Sequence, residues 1–213
     1  MYCHKGEEPP EGAIVIWEDE WHYRREVVIS RIRARLGLLH KIPGRLGRLR
    51  RITRPEAGAF LEQHHLQGAT NAKYSYGLFL PAKYFGRLNE KPGGAEILLA
   101  VMTFSGARTF RDGTKSYELI RFAVRCNYHV HGAFSRLLQA FIREKGPDSV
   151  MTYVDRNWYR GGTYEALGFE QTAVLPPIRY RVTEGGKRVP VQGGDFDVIN
   201  KGSVKMLWRK KSR

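Results

Sequence analysis

The chain has 213 residues, 42% of them hydrophobic, enough for one domain of ordinary size with an added arm. Lysine and arginine outnumber aspartate and glutamate by 36 to 21, a formal charge of +15 that points to a polyanionic partner. No stretch approaches the roughly 20 apolar residues of a membrane span and nothing resembles a signal peptide, so a soluble, cytoplasmic chain with no membrane partner is expected. The two cysteines, Cys3 and Cys126, are too few for a disulfide framework and lack the paired spacing of a zinc site.

Residues 1–19 are acidic and contain Pro and Gly, with only Ile14 to Trp17 apolar, which reads as a short added strand or a tail. From Arg24 to Arg54 there are eleven Arg or Lys residues, interleaved with Val27, Ile29, Ile32, Leu36, Leu38 and Leu39. Charge runs are usually solvated helix faces, but here acidic counter-charges are almost absent, and phosphates would relieve the self-repulsion. The expected organisation is a basic N-terminal arm over 1–45 and an α+β domain over 46–213. Arg45, Arg48, Arg50 and Arg51 are the expected contacts to double-stranded DNA.

Past the arm, residues 48–53 read as a strand, and Arg54-Pro55-Glu56 opens a helix that ends near His64-His65. Strands are expected over 74–80, 96–104 and 117–124, joined as hairpins, with a flexible Pro/Gly loop over 81–95. Residues 132–145 form an amphipathic helix with Phe134, Leu137, Leu138, Phe141 and Ile142 on one face. Val150 to Val154 is then a buried strand that stops at Asp155, beside the crevice where open α/β sheets bind ligands. Gly161-Gly162 follows and lets backbone approach a ligand before a short helix carrying Tyr164. Asp155 has a second reading as a turn cap, and Tyr164 as a core residue. A strand over 169–175 closes the pattern.

This order, together with the segments FLEQHHLQGA, YSYGLFL, LLAVMTF, YELIRFAVRCNYHVHGAFSRLL and TYVDRNWYRGGTYEALGF, resembles a phage-associated branch of the GNAT acyltransferases. That branch contains the Mom DNA-modification proteins of Mu-like phages and a homing-endonuclease-associated module. The resemblance covers roughly residues 46–175. It implies a GNAT-like fold, a mixed central sheet flanked by helices, and conversion of the adenine N6 amino group to a carbamoylmethylamino group, masking DNA against restriction. The branch's functional positions fall on His65, Arg121, Ser135, Asp155 and Tyr164. Asn157, Trp158 and Tyr159 look closer to the homing-endonuclease-associated module than to Mom.

Adenine N6 is a poor nucleophile, so a site must orient it, take a proton and stabilise charge. Asp155 or His65 can serve as base, with Tyr164 completing the catalytic set. Arg121 can bind a phosphate or carboxylate, or pair with Glu118 or Asp155. His131, Gly132, Ala133 and Ser135, at the start of a helix, can hold the phosphates of acetyl-CoA or a related CoA thioester, although few of the usual glycines are present. A metal ion at His65 stays open. A duplexed adenine must be flipped, and Tyr74, Tyr76, Trp158 and Tyr159 can line a pocket for it. Two alternatives accompany this reading: a non-catalytic DNA-binding module of the same fold, and an N-acetyltransferase for a protein or small amine.

Overall fold

The computed structural model describes residues 1–8, 13–158 and 162–211. They form two compact units, Met1–Val28 with Met151–Arg209, and Ile29–Val150 with Lys210–Arg213. Residues 1–28 of the expected arm thus belong to the first unit and 29–45 to the second.

In chain order the elements are β1 (Tyr2–Cys3), β2 (Ile16–Trp17), α1 (Glu18–Tyr23), α2 (Arg25–Arg35), β3 (His40–Pro43), β4 (Arg48–Arg51) and α3 (Arg54–His64). Next come β5 (Tyr74–Pro81), β6 (Glu96–Phe104), β7 (Arg108–Thr109), β8 (Lys115–Val124), β9 (Tyr128–His131) and α4 (Ala133–Lys145). The last are β10 (Ser149–Asp155), β11 (Phe169–Leu175), β12 (Arg179–Val182), β13 (Arg188–Val191), β14 (Val198–Ile199) and β15 (Ser203–Arg209). The fold is α+β with the GNAT-like order of elements, strand, helix, three antiparallel strands, helix, strand. Three expectations change: the basic arm is helical over Arg25–Arg35, the loop expected over 81–95 holds a 3-10 segment, Ala82–Arg87, and the strand expected to be buried over Val150 to Val154 alternates in burial, with Tyr153 exposed.

The second unit is built on an antiparallel sheet in the order β8-β6-β5-β4, with β7 on β8. Helix α3 starts where Thr53 Oγ1 accepts a hydrogen bond from Glu56 N at 3.3 Å, with Pro55 in the first turn, where its missing N–H costs nothing. Its Ala57, Phe60 and Leu61 cover Val101 of β6 and Ala123 of β8. Those two residues are register partners, so they share a face. The neighbouring register positions Tyr76, Met102 and Phe122 face the other way, because side chains alternate along a strand. That opposite face takes α4, whose Phe141 ring stacks on Phe104 at 3.6 Å between centroids, while Phe134 meets Phe122 edge-on.

In the first unit β15 lies between β11 and β10, and β12 pairs with β13 and β14. Cys3, Val15, Trp17 and Val198 form its small core with Tyr180, Val182 and Ile199.

Phe141 is fully buried and its ring packs against Phe104, Tyr76 and Tyr117, so truncation leaves a cavity between α4 and the sheet. Phe141→Ala is expected to lower unfolding free energy by about 3–5 kcal/mol in a urea titration. A loss below about 1 kcal/mol would show that this face is not the core of the unit.

Candidate functional site

The start of α4 is the best-formed ligand-binding feature of the second unit. Strand β9 pairs in parallel with β3, so that Lys41 lies opposite His129 and Pro43 opposite His131. Alternation buries Tyr128 and Val130 and leaves His129 and His131 exposed on one face, their rings 6.2 Å apart. Lys41 is exposed as well. The turn into β9 is held by Asn127, at φ 68°, whose N–H donates to Ser30 Oγ at 2.9 Å and whose Oδ1 accepts from Arg33 at 2.7 Å. Helix α2 therefore supports the site rather than trailing as an arm.

Gly132 then caps α4 at φ 74°, a left-handed conformation that favours glycine. The backbone after β3 comes so close that a Cβ on Gly44 would meet the His131 carbonyl at 2.5 Å. Arg136 fixes this approach, donating from Nη1 to Gly44 O at 2.6 Å and from Nη2 to Gly47 O at 3.2 Å. The amides of Ala133, Phe134 and Ser135 have no acceptor within the helix, and the positive end of the helix dipole is here. Ser135 donates its hydroxyl to Gly132 O at 3.0 Å, so its proton serves the helix start. This donor set suits a phosphate.

Asp155 lies in the first unit at the end of β10, where its Oδ1 accepts from Asn157 N at 2.8 Å. The cap reading is thus realised for one of its oxygens. Asn157 is buried and clamps Val15 through both its N–H (2.9 Å) and its carbonyl (2.7 Å). Near Asp155 is a buried charge cluster with no counterpart in the sequence analysis. Arg188 donates Nε and Nη2 to the two oxygens of Asp19 at 2.8 and 2.9 Å, and its Nη2 lies 3.1 Å from Glu20 Oε1. Glu20 Oε2 accepts from Trp17 N at 3.4 Å, as an acidic third residue of a helix does for its cap. Burial pushes the Glu20 carboxyl up to about 7 against the pull of Arg188, with the charges of Asp19 and Asp155 adding to the rise. Tyr180, its pKa raised by burial, also feels Asp155. The members are separated by up to 169 residues, so no local sequence signal joins them.

Tyr164 packs edge-on against Phe169 at 5.7 Å and Trp158 is half-buried, while Tyr159 and Gly161 lie outside the described residues. His65 caps α3, and its Nδ1 accepts from Gln67 N at 3.1 Å. That nitrogen thereby serves the turn that follows α3. The neighbouring His64, one turn after Phe60, points inward instead. Burial and Arg125 hold His64 down to about 4, so it is neutral.

Arg121 is half-buried in β8 on the α3 face. Among the DNA-contact set, Arg45 and Arg48 are exposed, whereas Arg50 pairs with Glu96 and lies over Phe79, and Arg51 pairs with Glu144 at 3.4 Å. Tyr76 is corrected from base-stacking residue to core. It is 3% exposed and its hydroxyl donates to Glu144 at 2.8 Å. Tyr74 lies over Phe141 and Tyr117 and under Lys145. Among the described residues no group of three or more His, Cys, Asp or Glu could hold a metal ion, and no helix is long and apolar enough to cross a membrane.

No protein-family model and no curated protein matches the chain. Solved structures do resemble it. The NatC complex bound to Gag peptide and CoA aligns at TM-score 0.45 and 11% identity, over 78% of this chain and 99% of that one. A putative phosphinothricin N-acetyltransferase aligns at 0.43 and 16% over 78% and 99%, and a putative acetyltransferase from Salmonella typhimurium with its cofactor acetyl-CoA at 0.43 and 15% over 79% and 96%. At these scores the order and pairing of the elements, rather than the overlap, bears the fold assignment.

The Glu20 carboxyl is higher in the folded chain than in the unfolded one, so its contribution to stability is present below about pH 4.5 and is lost as pH rises through about 7. Thermal unfolding at pH 5.5, 7.0 and 8.5 should show the wild type losing stability on the order of 2–3 kcal/mol across this window. Glu20→Gln, fixed in the neutral form beside Arg188, Asp19 and Asp155, should flatten the profile. An unchanged slope in the variant would remove Glu20 as its origin.

Proposed function

We propose that this chain is an N-acyltransferase that takes its acyl group from a CoA thioester and passes it to an amine. The observation that supports this reading is the entry to α4. A left-handed Gly132 and the exposed Lys41, His129 and His131 surround the amides that start α4, and Gly44, with no room for a side chain, lets the backbone after β3 close on the His131 carbonyl. These features fit a phosphate-bearing group because the backbone amides and the Lys41 ammonium all present N–H donors to an anion.

Acetyl-CoA, when bound, supplies an acyl group already activated as a thioester. The chain's own residues do the rest. The amides of Ala133 to Ser135 hold phosphate oxygens at the positive end of α4, and from the adjoining strands Lys41 adds charge and His129 a ring N–H. The expected proton acceptor, Asp155, belongs to the other unit, at a strand end with one oxygen hydrogen-bonded to Asn157 N. Tyr164 is the companion candidate for returning a proton.

A second reading keeps the chemistry and makes the amine adenine N6 of double-stranded DNA, as the likeness to the phage branch implies. The formal charge of +15 and the exposed Arg45 and Arg48 favour it. Acyl transfer there gives an N6-acyladenine; the carbamoylmethylamino group that the likeness implies is N-alkyl and would need a donor other than a CoA thioester, and either would mask adenine against restriction.

One experiment separates the readings. Purified protein is incubated with acetyl-CoA and a panel of amine-bearing peptides and small amines, or with duplex DNA, and products are read by mass, the DNA after digestion to nucleosides. An acetylated amine supports the first reading, and a modified adenine supports the second. No product with any acceptor, and no release of free CoA, contradicts both. Lys41 is exposed, so Lys41→Ala should leave folding intact and raise KM for acetyl-CoA by roughly 3–10-fold with kcat nearly unchanged. An unchanged KM would exclude Lys41 from the phosphate site.

A further inference from the structure

Cross-strand register places Ser75 of β5 opposite Thr103 of β6, and Thr103 opposite Arg121 of β8. Direct partners share a face, so the three form one row across the sheet. Two residues along is the row Gly77, Val101 and Ala123, of which Val101 and Ala123 lie beneath α3. The α3 face therefore changes from apolar to polar within one step. Ser75 and Thr103 are buried, Thr103 completely.

This polar row is not internally satisfied. Thr103 Oγ1 is buried with no hydrogen-bond partner among the described residues, and so is Arg121 Nε. Arg121 spends Nη1 on the carbonyl of its own neighbour Ile120 at 2.9 Å, and no carboxylate among the described residues pairs with it. What is left over is the Nε–Nη2 edge, the side of a guanidinium that grips two oxygens in one plane. Burial lowers the Arg121 pKa, with Glu118 opposing, so the group sits desolvated and short of a partner. Buried guanidinium and hydroxyl atoms left unpaired each cost free energy, and two on adjacent strands of one row call for a shared ligand.

We infer that Ser75, Thr103 and Arg121 form a binding site for a carboxylate group, with the Arg121 edge taking both oxygens and the Thr103 hydroxyl donating to one of them. A carboxylate fits better than a phosphate for two reasons. The guanidinium edge matches its planar pair of oxygens, and Glu118, half-buried on the same face, repels a dianion more than a monoanion. The site stands on sheet register and is independent of the acyl-transfer reading.

The test uses the whole protein labelled with ¹⁵N, without CoA, so that failure here leaves the acyl-transfer reading untouched. The Arg121 Nε–H resonance and the Thr103 amide are followed as sodium acetate, or in a separate series inorganic phosphate, replaces chloride at constant ionic strength. Acetate is expected to shift both resonances saturably and to bind more tightly than phosphate. Thr103→Val keeps the shape and removes the hydroxyl, and should weaken acetate roughly 10-fold at the Arg121 resonance. Arg121→Lys keeps the charge but loses the planar edge, and should abolish saturation at Thr103. Shifts that stay linear, that chloride reproduces, or that persist unchanged in Thr103→Val overturn the site. Tighter binding of phosphate overturns its assignment to carboxylates.

Discussion

Register across β5, β6 and β8 is the constraint on which the second unit depends, because a slip of one residue would exchange the two faces of the sheet. In the observed register Phe104 stacks on Phe141 while Val101 and Ala123 meet α3. The same register delivers Thr103 and Arg121 to one face, with a bulge between Thr103 and Phe104 that also sets Leu119 opposite Phe104. Packing on both faces thus fixes the polar row as firmly as it fixes the core. Position comes from apolar contacts, and chemistry comes from the few polar residues these contacts carry with them.

Charge is handled differently in the two units. In the first, Arg188 is enclosed by Asp19 and Glu20, and the surplus carboxylate is accommodated by holding Glu20 near neutral. Breaking such a buried group by removing Arg188 would leave uncompensated carboxylates, which costs far more than the net worth of the pair. In the second unit several arginines of the basic segment are consumed by structure: Arg33 on Asn127, Arg50 on Glu96, Arg51 on Glu144 and Arg54 on Asn71. These contacts leave the formal +15 unchanged, since it already nets the carboxylates, but they fix those guanidinium groups in place, while Arg45, Arg48 and Lys41 are exposed.

Much of the fold was legible because local signals agreed with tertiary ones. Thr53, Pro55 and Glu56 mark the start of α3, the apolar face of α4 is continuous, and β6 and β11 fall on the expected residues. The helix over Arg25–Arg35 was hidden because its apolar residues do not gather on one stripe and its charges dominate the pattern. Parallel pairing of β3 with β9 joins short segments far apart in sequence, which periodicity cannot report. For the site, Gly132 and its neighbours were readable as a helix-start motif, and Asp155 as a strand end. His64 was readable in principle, lying four residues after Phe60, yet the family pattern drew attention to His65 instead. Glu20 and Arg188 were not readable at all, since a carboxylate becomes unusual only once burial has removed its water.

The central claim is that the entry to α4 holds the phosphates of a CoA thioester. Titrating ¹⁵N-labelled protein with CoA, and following backbone amides from His129 to Arg136, tests it without requiring turnover. The account predicts saturable shifts that are largest at Ala133, Phe134 and Ser135, with His129 and His131 following. Saturable binding that leaves these amides unmoved while shifting others would contradict it.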